Sequence, residues 1–360
     1  SIDDLAFADC YSLTSITIPE KLTYIGEDAF EDCKNLYSVY WNSKSIENKI
    51  DENDQYGRHP FINCPISTFI FGENVEEIPD YLCQNMQKIK SITIPESVKK
   101  IGSYVFHNCY DISSIKWNAK NCTLGNNKPF YSIANRIESF VFGDKVEYIP
   151  AELCRYMKSL QSITIPKSVT SIGENAFDGC SALTRTDYKG DVEGWCQIAF
   201  GNSFSNPNYY AKNLFISGKE VAEVVFPNTV DTIYPAVFYG CQNLSSVTIP
   251  ASVKSIGSDA FGGCKKLFDI YCLPTTPPTA EESSFANYNV NLYVPCGSIK
   301  DYQMDMVFGS FKYIQCLDGD ESSVEDVVLN DKSNIQKLLH DGQLLIIRDG
   351  KTYNVMGQEM

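Results

Sequence analysis

The chain has 360 residues, of which 43% are hydrophobic and 21% are charged. That composition is ordinary for a folded protein and excludes extended disorder, which needs fewer apolar residues and a higher charge density. The formal net charge of −15 disfavours nucleic acid and anionic membranes as partners, because an acidic surface repels phosphates. The sequence contains no run of 18 apolar residues that would span a bilayer.

A short phrase recurs along the chain. Ser-Ile-Thr-Ile-Pro begins at Ser15, Ser91 and Ser162, and Ser-Val-Thr-Ile-Pro begins at Ser246. Each phrase is followed by Val or Leu, then Ile-Gly, then Phe, then Cys, and each full copy is 23 residues long. Variant and longer copies lie between them, so we expect about eleven coils within residues 1–267. A period of this length is typical of leucine-rich repeats.

A larger unit is also repeated. Residues 66–109 align with residues 137–180 at a constant offset of 71, without a gap. The alignment indicates that several coils were duplicated as one block.

The residue types of the repeat predict its local structure. Alternating Ile residues predict a short strand that Pro ends, because Pro cannot donate the next ladder hydrogen bond. The Ile-Gly pair predicts a second extended piece and a turn that needs the freedom of glycine. The three-residue spacing of Ala-Phe-x-x-Cys predicts one or two helical turns. Since one coil cannot bury its own apolar edge, the coils are expected to stack, with strands about 4.8 Å apart.

This pattern resembles the BspA-like leucine-rich-repeat proteins, which are mostly surface proteins of gut and oral bacteria. The resemblance covers roughly residues 1–316, although the Asn that follows the strand in ordinary leucine-rich repeats is missing. It implies an α/β fold, a right-handed solenoid with a curved parallel sheet of short strands and helical or irregular turns outside. It also implies an extracellular or cell-surface location. Because Ser1 lies inside a repeat, we expect an export signal to have preceded this sequence.

Several segments depart from the repeat. Insertions are predicted at 42–60, 118–130 and 190–212, and a capping region that closes the core at 268–316. Residues 317–360 are predicted to form an acidic linker and a small β-hairpin around Asp349-Gly350. The closing residues 353–359 resemble C-terminal segments of secreted Bacteroidetes proteins, which leaves open either a sorting or anchoring role or a small β-module on the cap.

Most of the 14 cysteines occupy a fixed slot of the repeat. A column of small, buried, apolar groups inside the stack explains them, and no Cys-x-x-Cys pair indicates a zinc site. A disulfide among Cys272, Cys296 and Cys316 remains open, since export would permit one. We predict no metal and no cofactor. The structural core cysteines are Cys33, Cys109, Cys180, Cys241 and Cys264.

Catalytic signatures are missing from the sequence. His59, His107 and His340 are far apart, and no nucleophile elbow, phosphate-binding loop or metalloprotease motif occurs. We therefore expect a protein that is not an enzyme.

The residue between the two inward Ile positions of each strand should face outward. These outward positions are mostly hydroxyl-bearing, and Tyr40 and Tyr271 are candidate anchors for a partner. Thr also suits an exposed strand on propensity alone, so the same pattern is compatible with a plain structural surface. The candidate binding face consists of Thr17, Tyr40, Ile70, Thr93, Lys116, Val141, Thr164, Asp187, Val225, Thr248 and Tyr271.

The 190–212 insertion is rich in aromatic residues. Trp195, Phe204, Tyr209 and Tyr210 either contact a partner or pack beneath the loop, and packing is favoured because Trp195 can replace the missing helical segment of its coil. Three functions follow. The leading one is an adhesion-type module on the cell surface that binds a host or matrix protein, as the resemblance implies. The alternatives are a glycan-binding accessory protein, which would use the aromatic residues of this insertion, and a structural spacer that displays another domain.

Overall fold

The protein is described from a computed structural model, which covers residues 1–46, 59–317, 328–330, 335–340, 343–348 and 351–354. Most of the predicted 42–60 insertion, the acidic linker from 318 to 327, the Asp349-Gly350 turn and the segment 355–359 lie outside the described residues.

Short strands dominate the structure. In chain order they are β1 (Ser15–Ile18), β2 (Ser38–Trp41), β3 (Thr68–Phe71), β4 (Glu77–Ile78), β5 (Ser91–Ile94), β6 (Lys100–Ile101), β7 (Ser114–Trp117), β8 (Thr123–Leu124), β9 (Ser139–Phe142), β10 (Tyr148–Ile149), β11 (Ser162–Ile165), β12 (Ser171–Ile172), β13 (Arg185–Tyr188), β14 (Ala199–Phe200), β15 (Leu214–Ile216), β16 (Lys219–Glu220), β17 (Glu223–Val225), β18 (Thr232–Ile233), β19 (Ser246–Ile249), β20 (Ser255–Ile256), β21 (Asp269–Cys272), β22 (Thr279–Ala280), β23 (Asn291–Val294), β24 (Tyr313–Cys316), β25 (Val328–Asn330), β26 (Ile335–His340), β27 (Gln343–Arg348) and β28 (Lys351–Asn354).

Helices are short and concentrated in the second half of the described chain. The α-helices are α1 (Val192–Cys196), α2 (Asn208–Ala211) and α3 (Ile299–Met304), and short 3-10 helices span Tyr131–Arg136, Ser203–Ser205, Glu282–Ser284, Cys296–Ser298 and Phe308–Ser310.

The four-residue strands stack in parallel, one per coil, and within a sheet the phrase of one coil is in register with that of the next. Together with the three-residue strands β15 and β17, they form four sheets, β1-β2-β3, β5-β7-β9, β11-β13-β15-β16 and β17-β19-β21-β23-β24, in which only β16 pairs antiparallel. The two-residue strands form a second line of parallel sheets, β4-β6-β8, β10-β12-β14 and β18-β20-β22. The stacked, parallel-strand solenoid predicted from the repeat is thus confirmed.

The Ala-Phe-x-x-Cys segment is not helical, which corrects the prediction of one or two helical turns. It is a run of tight turns in which Asp28 and Asp32 adopt left-handed backbone conformations, with φ of 54° and 56°. Every second backbone N–H group of the turns donates a hydrogen bond to a carbonyl of the next coil. One example is the Cys83 N–H, which donates to the Val105 carbonyl at 3.1 Å. Three-residue spacing of buried groups fits either structure, and hydrogen bonds between coils favour the turns because they satisfy the backbone.

The glycine of the Ile-Gly pair is needed for close approach rather than for a left-handed turn. A Cβ on Gly102 would lie 2.5 Å from the Asp80 backbone nitrogen of the preceding coil, and one on Gly173 would lie 2.4 Å from the Ala151 nitrogen. Neither glycine has a positive φ. Any larger side chain would therefore push neighbouring coils apart.

One continuous hydrophobic cluster runs through the described coils. In several coils the Phe of the repeat stacks on its counterpart in the next coil, with ring centroids 5.1 Å apart for Phe7 and Phe30 and 5.2 Å apart for Phe106 and Phe130. Because each ring has neighbours above and below, the core depends on equal spacing of the coils.

The sheets continue through the predicted capping region. β21, β23 and β24 extend the parallel ladder to Cys316, although the sequence period is lost after Leu267. Cys296 and Cys316 form a disulfide with a Cα–Cα distance of 4.6 Å, while the Cys272 thiol lies 3.3 Å from the Tyr302 hydroxyl. Beyond them, β27 and β28 pair on either side of residues 349–350 as the hairpin prediction requires, within a four-stranded antiparallel sheet formed by β25 to β28.

Candidate binding face

The outward positions of the four-residue strands form a row across the stack, which we call the strand face. Register places Thr17 beside Tyr40, and Tyr40 beside Ile70; in the next sheet, Thr93 lies beside Lys116, which lies beside Val141. Exposure falls along the row: Thr17, Tyr40, Ile70, Thr93, Lys116 and Val141 are exposed, Thr164, Asp187 and Val225 are half-buried, and Thr248 and Tyr271 are buried.

The burial of the last two positions corrects the prediction that they face solvent. Thr248 is 5% exposed and Tyr271 is 7% exposed. The Tyr271 ring stacks on Tyr293 of β23, with ring centroids 4.8 Å apart. Repeat alignment gave the right face for both residues, but it could not indicate that this end of the face is covered. Tyr271 is therefore not an open anchor in this structure.

Three exposed apolar side chains mark the N-terminal half of the strand face. Tyr40, Ile70 and Val141 are 42%, 45% and 51% exposed. Their strands alternate inward and outward, so the neighbouring Phe69, Phe71 and Phe140 point into the core. Apolar groups in register on an open sheet are typical of a contact surface.

The strand face is interrupted between β3 and β5, a gap that we call the first break. No ladder hydrogen bond joins these two described strands, and an equivalent second break separates β9 from β11. Both breaks follow a strand with Phe at both inward positions, Thr-Phe-Ile-Phe in β3 and Ser-Phe-Val-Phe in β9. The bulky variant coils, which the sequence repeats at an offset of 71, thus coincide with the discontinuities.

A groove opens over the first break. Its upper part, about 590 Å³, is lined by residues 67–71 on one side and by Lys88, Lys90, Ser91 and Thr93 on the other. A lower part of about 810 Å³ adjoins it where the strands end and shares Phe71 and Thr93 with it. Sequence reasoning missed this groove, although the Phe pairs and the two lysines were visible.

The lower part of the groove has charges of both signs. The Lys145 amino group lies 3.0 Å from a Glu96 carboxylate oxygen, and the Lys120 amino group lies 2.9 Å from Glu147. Pairing with Glu147 raises the pKa of Lys120 and lowers that of the carboxyl. These lysines therefore already have intramolecular partners.

The third sheet has a different outward cluster. The Arg185 guanidinium donates to both Asp187 carboxylate oxygens at 2.6 Å, and its central carbon lies 3.6 Å above the Phe215 ring. The hydrogen bonds to Asp187 raise the pKa of Arg185. Phe215 of β15 pairs with Asp187, whereas Val225 lies in β17, the first strand of the next sheet. Sequence alignment placed Val225 after Asp187 because the β15–β16 hairpin is an extra strand pair within that coil.

The aromatic residues of the 190–212 insertion pack against the solenoid. Trp195 is fully buried, and its indole N–H donates to the Val237 carbonyl at 2.8 Å. Tyr209 stacks on Tyr239 and lies 4.5 Å from Phe204, ring to ring. The packing alternative is therefore correct for Trp195, which cannot serve as a glycan-stacking platform.

Tyr210 is also held by the solenoid. Its hydroxyl accepts a hydrogen bond from the Gly179 N–H at 3.0 Å and donates to an Asp178 carboxylate oxygen at 3.3 Å. Desolvation raises the pKa of this hydroxyl. Phe204, Tyr209 and Tyr210 are half-buried, so each retains only an edge for a partner.

Most of the slot cysteines line the core, whereas Cys10 and Cys64 are half-buried. The Cys109 and Cys180 thiols donate to carbonyl oxygens of the preceding coil, at 2.9 Å to Cys83 and 3.0 Å to Cys154. Burial raises the pKa of Cys109 and Cys180 to about 12. The thiols are therefore protonated near neutral pH. The predicted core cysteines Cys33, Cys109, Cys180, Cys241 and Cys264 are all buried.

The two histidines that the structure describes in full, His59 and His107, belong to separate coils. His59 is buried, and desolvation lowers its pKa to about 4. Within residues 1–46 and 59–317, no cluster of three His, Cys, Asp or Glu residues is arranged to hold a metal ion. None of the helices in the described part of the chain has the length and apolar character needed to cross a membrane.

Comparison with known proteins identifies the repeat. The family model of the BspA type leucine rich repeat region matches in six copies, over residues 1–128, 54–184 and 208–314. Among curated proteins, none matches. A solved leucine-rich repeat protein from Bacteroides ovatus is 20% identical, with a TM-score of 0.45 and coverage of 88% of this chain and 87% of that one.

Two further solved structures are similar in part. The pneumococcal vaccine antigen PcpA is 17% identical, with a TM-score of 0.35 and coverage of 88% of this chain and 90% of the antigen. A leucine rich cell surface protein from Faecalibacterium prausnitzii is also 17% identical, with a TM-score of 0.20 and coverage of 75% and 62%. With the family model matched over most of its length, the chain belongs to the BspA-type leucine-rich repeat proteins.

Proposed function

We propose that this chain is an adhesion-type binding module, secreted or displayed on a bacterial surface, which recognises a host or matrix protein through the N-terminal half of its strand face. The observation on which the proposal depends is the exposed pair Tyr40 and Ile70, held in register beside the groove at the first break. The cell-surface location follows from the resemblance to the BspA-like family.

The chemistry of the face favours a protein partner. Tyrosine is enriched at energetically important positions of protein interfaces, and hydroxyl groups such as those of Thr17 and Thr93 adapt to varied hydrogen-bond partners. A groove beside exposed apolar groups is not expected of a plain spacer. The glycan alternative based on the 190–212 insertion loses its largest aromatic ring, because Trp195 is buried.

The test is a binding panel of purified matrix proteins against the immobilised chain. We expect at least one saturable partner, whose affinity falls by about tenfold or more in the double variant Tyr40→Ala, Ile70→Asp. The matched control is Tyr131→Ala, because Tyr131 is 61% exposed but lies on the turn side of its coil, next to Tyr156.

Two results would contradict the proposal. One is the lack of saturable binding across the panel for a folded wild-type chain. The other is an equal loss of affinity in Tyr131→Ala and in the double variant. A glycan array run in parallel tests the glycan alternative. Strong binding to a glycan that the double variant does not weaken would indicate a glycan site outside the strand face.

A further inference from the structure

We propose that the first break is the part of the strand face that takes the partner, and that it binds an extended acidic peptide segment. The inference rests on the proposed function and makes it more specific: it names the groove, the chemistry of the bound segment and the orientation of that segment along the strands.

The lysines at the upper end of the groove supply the positive charge. Lys88 and Lys90 are exposed and line the groove. Within the described chain, no carboxylate lies within 4.0 Å of either amino group, whereas Lys99, Lys120 and Lys145 each have one. In a protein with a net charge of −15, two neighbouring lysines for which the described residues supply no acidic partner form a local site for carboxylates.

The side of the groove formed by β3 suits an extended chain. Ile70 projects outward and offers an apolar contact. Phe69 also lines the groove although its side chain points inward, so the main chain of β3 is part of the lining. The missing ladder at the break leaves backbone groups of β3 and β5 without partners on the opposite strand. Thr93 adds a hydroxyl at the point where the two parts of the groove meet.

The distribution of charge along the groove determines which end takes the acidic residues of the bound segment. The upper end of the groove is lined by two lysines and by no acidic residue. The lower end is lined by lysines and by the acidic residues Glu73, Glu96 and Asp144. Acidic residues of the peptide therefore belong beside Lys88 and Lys90, before β5 begins. An apolar residue of the peptide then lies over Ile70.

The duplicated block supplies an internal comparison. At the offset of 71, Ile70 corresponds to Val141, Lys88 to Ser159, Lys90 to Gln161 and Ser67 to Glu138. The second break thus keeps the outward apolar residue but has lost both lysines and gained an acid. Acidic peptides are expected to select the first break over the second.

A peptide is favoured over a polyanion such as heparin. The groove combines two lysines with an apolar side chain and exposed main chain, whereas a polyanion needs a longer basic track. The net charge of −15 also disfavours the binding of such a polymer along the rest of the chain.

The experiment is a selection with the full chain. A display library of random 12-residue peptides is panned against the wild type and counter-selected against Lys88→Ser, Lys90→Gln, which copies the neutral residues of the second break. We expect enriched peptides to contain two or more Asp or Glu residues with an apolar residue close to them in the sequence. Enriched peptides without an excess of acidic residues, or no enrichment at all, would overturn the proposal.

An enriched peptide is then measured by fluorescence anisotropy. We expect Lys88→Ser, Lys90→Gln to weaken binding by about tenfold or more, and a rise in NaCl from about 50 to about 200 mM to weaken the wild type. Ile70→Asp should weaken binding strongly, while Val141→Asp, its counterpart at the second break, should not. The charge control is Lys219→Ser, Lys300→Gln, two exposed lysines outside the groove.

Equal losses in Val141→Asp or in the charge control would overturn the assignment of the groove. So would heparin binding that depends on Lys88 and Lys90 but not on Ile70, which would indicate a polyanion site. If a matrix protein binds and is sensitive to Tyr40→Ala, Ile70→Asp but not to the two lysines, this inference fails and the proposed function stands. If neither proteins nor peptides bind, both fail.

Discussion

Tyr40 and Ile70 lie directly opposite each other across the β2–β3 pair, and both side chains point away from the core. A cross-strand pair of this kind contributes less than about 1 kcal/mol to folding. We therefore expect the variant Tyr40→Ala, Ile70→Asp to unfold in urea within about 1 kcal/mol of the wild type while it loses its partner. A much larger loss of stability would mean that the pair has a structural role.

Trp195 is expected to behave in the opposite way. Because its ring is fully buried between Tyr188 and Phe200, Trp195→Ala should lower the free energy of unfolding by about 3–5 kcal/mol. Trp195→Phe should cost less, since most of the contact area is kept. Urea unfolding followed by circular dichroism measures both, with Tyr131→Ala as the exposed aromatic control. An unchanged midpoint in Trp195→Ala would refute the packing role.

His59 should make the protein sensitive to mild acid. Burial lowers its folded-state pKa to about 4, below the value of about 6.5 expected in the unfolded chain. Above pH 6.5 both states are neutral at this residue. As the pH falls from about 6.5 to 4, only the unfolded state takes up the proton, so the free energy of unfolding should decrease by about 3 kcal/mol.

The variant His59→Gln isolates that effect. Its free energy of unfolding, measured by urea titration at pH 7 and pH 5, should change less with pH than that of the wild type. Parallel pH profiles for the two proteins would show that His59 is accessible to protons in the folded state.

The slot thiols should be unreactive in the folded protein. Burial raises the pKa of Cys109, Cys180 and Cys264 to about 12, which suppresses the thiolate that reacts. With a disulfide reagent near pH 8, we expect half-exposed Cys10 to be modified first and the buried column only after urea is added. Rapid modification of Cys109 in native protein, located by peptide mass spectrometry, would contradict the packing of the coils.

The periodic part of the fold was predictable because every coil must bury the same apolar positions against its neighbours. Alternation within Ser-Ile-Thr-Ile-Pro placed Ile92 and Ile94 inside and Thr93 outside, as observed. The buried position of the slot cysteines followed from their fixed place in every coil. These features depend only on local residue order and on stacking.

Features that depend on neighbours were not predictable in the same way. The i, i+3 spacing around Phe30 and Cys33 suits a helix as well as tight turns, although Asp32 directly before Cys33 was a signal for a left-handed residue. The burial of Thr248 depends on what covers the end of the strand face, which repeat alignment cannot indicate. The position of Phe215 beside Asp187 required knowledge of an added hairpin.

The first break was visible only as an unusual residue choice. Phe69 and Phe71 replace the Ile residues of ordinary copies, and the same substitution occurs at Phe140 and Phe142. Without coordinates, larger core side chains do not reveal whether a ladder will be lost. Once the structure is known, the duplicated block shows which features both breaks share, and it shows that Lys88 and Lys90 occur only at the first break.

Hydrogen–deuterium exchange of the full chain, with and without a selected acidic peptide, shows whether the peptide binds at the first break. We expect slower exchange in residues 67–72 and 90–95, on both sides of the first break, and unchanged exchange in the matching residues 138–143 and 161–166. Slowed exchange at the second break to the same extent, or only in the turn segments around residues 104–109, would contradict a binding site on this part of the strand face.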